Sequence, residues 1–261
     1  MIISSKTNPN YKDLLSLTTN RGRKKSERFI IEGRRELSRA LKANVPILSF
    51  VFSESATKNE MIVQDFGSYF AQAILLSDEL FEKLSVRENP DGVIGVAKTW
   101  TSDLSQCKLD TNGLYLLVEG LEKPGNLGAL MRSAEATHVD GFFIANPVVS
   151  IFNPNVIRTS QGAVFNLKTY WDTSDNLLHF LKNAGLQIIA TTPHTDLIYW
   201  DCDMKKGSVI CVGSEAFGLS TTWLETATQV IIPMYGQSAD SLNANISGTL
   251  CLYEARRQRH H

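Results

Sequence analysis

Apolar residues in this chain fall into short runs separated by polar turns, and their rhythm changes near residue 100. In the first hundred residues, the runs at 29–33, 47–52, 73–76 and 93–97 read as strands bounded by turn residues. A short helix is expected near 12–18. The segment 34–44 carries Leu37, Ala40 and Leu41 at the spacing of one helix face, and 78–84 reads as the start of a capped helix. A polar stretch over 98–112 then interrupts the pattern. From Gly113 onward strands and helices alternate. Strands are expected at 114–118, 141–144, 167–170, 187–190, 209–212 and 230–232. Helices are expected at 126–138, at 154–164 with Asn153 as cap, at 174–184, at 222–227 and at 241–257. On the last helix, Leu242, Ile246, Leu250 and Tyr253 mark the expected buried face.

Strands that are apolar almost throughout, alternating with helices, belong to a mainly parallel sheet covered on both faces. The expected architecture is therefore α/β: a small domain over 1–98, a linker at 99–112 and a second domain over 113–261. No apolar run approaches the roughly 20 residues that a membrane helix needs. The first residues lack the pattern of a secretion signal. Cys107, Cys202, Cys211 and Cys251 are scattered with no C-x-x-C pair, so neither a disulfide framework nor a zinc site is expected, and the expected compartment is the reducing cytoplasm. No ligand cluster points to a metal. The net charge of −1 conceals an imbalance, because residues 1–50 carry +7 and the rest −8. The excess lies mostly in Arg21, Arg23, Lys24, Lys25 and Arg28 and continues through Arg34, Arg35 and Arg39. Such a cluster concentrates polyanions and supplies phosphate contacts; it also reads as a solvated helix face.

Parallel sheets of this kind bind ligands beyond the carboxyl ends of their strands. Three strand-end loops stand out there. The first, 118–132, is a Gly/Pro-rich turn leading into a helix, with Asn126 as a cap whose amide faces the cleft and Arg132 six residues on. The second, 209–219, places Gly213 at a strand end and Glu215 just beyond it. The third runs from Ile232-Pro-Met234 through a polar loop to Ser241-Leu-Asn243 at a helix start, where free amides can hold a ligand. Taken singly, each also reads as an ordinary capped helix or turn. No G-x-G-x-x-G follows a strand and no G-x-x-x-x-G-K-[ST] occurs, which disfavours dinucleotide oxidoreductases and P-loop enzymes.

Together and in this order, N-x-G-x-x-x-R, G-S-E-x-x-G-L and I-P-M followed by S-L-N resemble the three motifs of the SpoU (TrmH-type) methyltransferases of the SPOUT superfamily. The resemblance spans about 113–257, and extends more weakly to the basic first domain, which resembles the family's ribosomal-protein-like substrate-binding domain. It implies a trefoil knot in the second domain, a homodimer with shared active sites, and methyl transfer from S-adenosylmethionine to a ribose 2′-hydroxyl of RNA. Ribosomal RNA is expected rather than transfer RNA, and the rival is an RNA-binding SPOUT-fold protein without activity. By the same resemblance, Arg132, Asn126, Glu215, Ser241 and Asn243 would be catalytic. Thr191, Gly213, Ile232, Met234, Ser241 and Leu242 would hold the cofactor. Arg21, Arg23, Lys24, Lys25, Arg28, Arg34 and Arg35 would meet RNA.

Overall fold

A computed structural model describes residues 2–236 and 241–260. The chain begins with β1 (Ile2–Ile3), α1 (Pro9–Ser16), α2 (Asn20–Ser26), β2 (Arg28–Glu32), α3 (Arg34–Lys42) and β3 (Ile47–Ser53). It continues with α4 (Glu60–Phe66), β4 (Ile74–Leu76), α5 (Asp78–Leu84) and β5 (Val93–Lys98). Then come β6 (Leu114–Glu119), α6 (Pro124–Ala136), β7 (Gly141–Ala145), α7 (Pro154–Thr159), β8 (Thr169–Asp172) and α8 (Ser174–Asn183). The last elements are β9 (Gln187–Thr191), β10 (Ser208–Val212), α9 (Thr221–Leu224), β11 (Thr228–Val230) and α10 (Ala244–Arg259). Two compact units result. One runs up to Trp100 and includes Ser150–Asn166; the other holds Thr101–Val149 and Leu167 onward.

The first unit is a five-stranded sheet in the order β1-β4-β3-β5-β2. β4 runs parallel to β1 and β3, while β5 is antiparallel to β3 and β2. Residues 150–166 join it through aromatic packing, with Phe29 4.9 Å from Phe152 and Trp100 4.6 Å from Phe152, ring centre to ring centre. α7 starts at its expected cap, where Asn153 Oδ1 accepts from the Asn155 amide at 2.9 Å. It stops earlier than the apolar pattern suggests, because Gln161 and Gly162 take positive φ angles of 55° and 82° that end a right-handed helix.

The second unit is a six-stranded sheet, wholly parallel, in the order β11-β9-β10-β6-β7-β8. The chain leaves β8 at one edge, crosses to lay β9 on the far side, and returns to insert β10 between β9 and β6. One face carries a core of Tyr115, Leu117, Phe143, Leu177, Leu181 and Trp223 under α8 and α9. Cys211 lies in that core, and burial pushes its thiol up, so it is un-ionised and inert.

The opposite face is covered by α6 and α10. Here the expected buried stripe is corrected. α10 buries Ala244, Gly248, Cys251, Leu252 and Ala255, while Ile246 and Tyr253 are exposed and Leu242 and Leu250 half-buried. Close approach decides the matter: a Cβ at Gly248 would lie 2.6 Å from Leu130 Cδ2 and 3.2 Å from Val212 Cγ2, so only the small-residue side of α10 fits against α6 and the sheet. At its far end Arg259 donates to the carbonyls of Met204 (2.9 Å), Asn112 (2.9 Å) and Lys206 (2.5 Å) and to Ser208 Oγ (2.9 Å). The helix is thereby fastened to the starts of β6 and β10. Among the described residues no helix is long and apolar enough to cross a membrane, and no group of three or more His, Cys, Asp or Glu could hold a metal ion.

Candidate active site

The carboxyl ends of β9, β10 and β11 open onto one cavity of about 330 Å³, the size of a small-molecule pocket. Thr191, Gly213, Ile232 and Met234 line it, and so do Ser241 and Leu242. All six residues expected around a cofactor thus meet in one place. The Thr191 hydroxyl donates to the Cys211 carbonyl at 3.0 Å, joining β9 to β10 where both strands end. Gly213 follows β10 under a tight turn: a Cβ there would sit 2.0 Å from the Gly218 carbonyl carbon and 2.3 Å from the Leu219 nitrogen. The turn is closed by Gly218 N donating to Ser214 O (2.9 Å) and Ser214 N donating to Gly218 O (3.2 Å). Residues 237–240 of the third loop, expected to be polar, lie outside the described residues.

The three loops are joined by side chains. Asn126 Nδ2 donates to Glu215 Oε1, and Asn243 Nδ2 donates to Asn126 Oδ1 at 3.4 Å. Asn243 also caps α10, accepting from the Asn245 amide at 2.9 Å. Asn126 itself is no cap. α6 starts two residues earlier, with Pro124 in its first turn, and this leaves the Asn126 amide free to bridge the loops. Among the described residues, Glu215 is the sole acidic side chain on the cavity wall and no Lys or Arg lines it. A cavity so constituted suits a cationic ligand better than a phosphate.

Arg132 does not line the cavity. It is exposed on α6 with no hydrogen bond or ion pair among the described residues. Six residues at 3.6 per turn set it about 120° from Asn126 around α6, so the two do not share a side.

Sequence reading missed the residue that anchors these loops. β6 ends on Glu119, a buried carboxylate in an otherwise apolar strand. Its Oε1 accepts from Ser174 Oγ, Ser220 Oγ (2.9 Å) and Trp223 Nε1 (3.2 Å), and its Oε2 accepts from the Ser220 amide (2.7 Å). Those donors stand at the starts of α8 and α9, next to the end of the Gly213 loop. The only advance signal was a glutamate closing a strand of leucines. The segment 192–194 at the cavity wall was missed as well.

In the first unit, the basic run folds as α2, capped by Thr19 Oγ1 accepting from the Gly22 amide at 3.0 Å. Arg21, Lys24 and Lys25 are exposed and unpaired among the described residues. Arg23 is buried and donates to the carbonyls of Leu17 (3.1 Å) and Thr18 (2.9 Å), which takes it out of the polyanion-facing set. Arg28 is paired with Asp13 (2.7 Å), Arg34 with Asp65 (2.5 Å) and Arg35 with Glu36 (2.9 Å).

Comparison with known proteins gives a consistent picture. Residues 113–253 match the SpoU rRNA Methylase family, and residues 8–95 match the MRM3-like substrate binding domain. The chain is 27% identical to the 23S rRNA (guanosine(2553)-2′-O)-methyltransferase RlmP of Bacillus subtilis, over 97% of this chain and 98% of that one. A crystal structure of an RNA 2′-O ribose methyltransferase superposes with a TM-score of 0.89 at 41% identity, covering 100% of both chains. The SpoU methyltransferase AviRb from Streptomyces viridochromogenes, in complex with the cofactor AdoMet, superposes with a TM-score of 0.85 at 26% identity, covering 97% of this chain and 98% of that one.

Proposed function

This chain belongs to the SpoU rRNA methylase family, and from that membership we propose that it methylates a ribose 2′-hydroxyl of ribosomal RNA with S-adenosylmethionine as methyl donor. The observation that carries the reading is the side-chain bridge Glu215–Asn126–Asn243, which ties the 118–132 loop to the two distant loops that line the cavity. The cavity fits the donor. Main chain at Gly213, Ile232 and Leu242 would hold its adenine end, and a wall whose described residues include one carboxylate and no Lys or Arg accommodates a sulfonium. When bound, S-adenosylmethionine supplies an activated methyl group.

The chain's own residues then have three tasks: to hold the ribose in line with that methyl, to stabilise the oxygen as it loses its proton, and to exclude water. In-line placement alone is worth roughly 7–11 kcal/mol in favourable cases. Asn126, Glu215, Ser241 and Asn243 would orient donor and ribose. Arg132 would grip the phosphate beside the target and stabilise the developing alkoxide; an arginine stays charged and is a poor base. Because Arg132 stands outside the cavity of its own chain, it would complete the site of a second copy in a homodimer. The exposed Ile246 and Tyr253 on α10 support such a subunit contact. Arg21, Lys24 and Lys25 of the first domain would meet RNA phosphates.

Tritium transfer from labelled S-adenosylmethionine into ribosomal RNA, followed by digestion to nucleosides, tests the reading; label on a 2′-O-methylnucleoside is the expected result. Binding of RNA without transfer would instead support an inactive RNA-binding protein of this fold. Arg132→Lys should leave donor affinity near normal while transfer falls by at least about 100-fold. Near-normal transfer in that variant would remove Arg132 from the mechanism.

A further inference from the structure

Large apolar side chains left in water mark contact surfaces. Two stand apart here: Phe217 and Tyr235 are each 86% exposed, against 61% for Val148, the next of the large hydrophobics described. Both belong to loops that border the cavity. Phe217 reaches its edge, and Tyr235 directly follows Met234, which lines it. Phe217 is also held in a pre-formed turn. Its amide donates to Ser214 Oγ at 3.1 Å, inside the pair of backbone bonds that close Ser214 on Gly218, and Gly218 reverses the chain with a φ of 68°. The main chain that carries the ring is therefore held in place, and the ring itself stands in solvent.

None of the tasks assigned above uses these rings. Resting on that reading, a ribose brought to the cavity carries its base one bond from the sugar, so the base has to lie near the cavity's rim. We infer that Phe217 and Tyr235 are stacking platforms for the bases of the target nucleotide and its neighbour. Every base offers a π-face, so the two rings grip RNA with little regard to base identity, but only where that face is not already stacked in a duplex. The substrate class is accordingly an unpaired stretch of RNA, such as a loop or bulge.

The test uses the full chain, labelled S-adenosylmethionine and ribosomal RNA from cells lacking the gene. Phe217→Ala and Tyr235→Ala should each raise KM for RNA between roughly 5-fold and 150-fold, with kcat little changed. Phe217→Trp should restore most of the loss. Donor affinity by calorimetry and molecular mass by sedimentation should match the wild type. An unchanged KM in either alanine variant overturns the inference. So does weakened donor binding, which would put the ring on the cofactor, or a change in mass, which would put it in a subunit contact. A wild-type protein that transfers no methyl refutes the functional reading itself, a result distinct from active protein with indifferent rings.

Discussion

At Gly213 the main chain of Gly218 and Leu219 passes so close that no methyl group fits, and both obstacles are backbone. Replacing this glycine by alanine forces the turn open. Gly213→Ala should cost roughly 1–3 kcal/mol of stability and, by shifting the cavity wall, weaken S-adenosylmethionine binding by at least about 10-fold. Calorimetric titration together with a thermal melt checks both, and native-like donor affinity would mean that the turn can relax. In the sequence this glycine reads as a place for close ligand approach or, equally, as an ordinary turn glycine; what crowds it in the structure is the main chain of its own turn. Arg23 was not readable. Counting charges cannot distinguish a guanidinium that meets solvent from one that ties off two carbonyls in the first unit's interior. Arg132 misleads in a related way, because a motif position says nothing about which side of a helix faces the cavity of its own chain.

At the scale of elements, Glu119 joins the end of β6 to the starts of α8 and α9. A glutamine in its place would turn an amide N–H₂ toward groups that are themselves donors. Glu119→Gln should therefore destabilise the protein by about 1–3 kcal/mol, seen as a lower urea midpoint, and donor affinity should fall with it because the Gly213 loop ends at Ser220. An unchanged midpoint would mean that the hydroxyls find other acceptors. The alternation of the second unit's strands and helices was legible, since near-continuous apolar strands have only one common home. Its sheet order was not, because no local pattern tells β10 to insert between β9 and β6. α2 has no large apolar residue to mark it and stood only as the alternative reading of the basic run, a solvated helix face, and α10 was assigned the wrong face. Periodicity favours large side chains, whereas the actual contact with α6 selects small ones.

For the whole molecule, charge is distributed unevenly and the pairing pattern refines where it acts. With Arg23 buried and Arg28, Arg34 and Arg35 engaged by carboxylates, Arg21, Lys24 and Lys25 are the cations of the basic run left unpaired among the described residues. Each phosphate contact that is lost removes about 0.7–0.9 from the slope of log affinity against log salt. The triple variant Arg21→Gln, Lys24→Gln, Lys25→Gln should flatten that slope for ribosomal RNA by about 2–3, with donor binding unaffected. Fluorescence anisotropy across a salt series measures this, and an unaltered slope would relocate RNA contact elsewhere.

The fastening of Arg259 to Asn112, Lys206 and Ser208 also bears on how the protein is made. β6 is synthesised early, yet the guanidinium that secures its beginning is added nearly 150 residues later. On the ribosome, that face of the parallel sheet has only α6 to cover it until α10 emerges. A chain halted before α10 is therefore expected to expose apolar sheet surface that the finished protein buries.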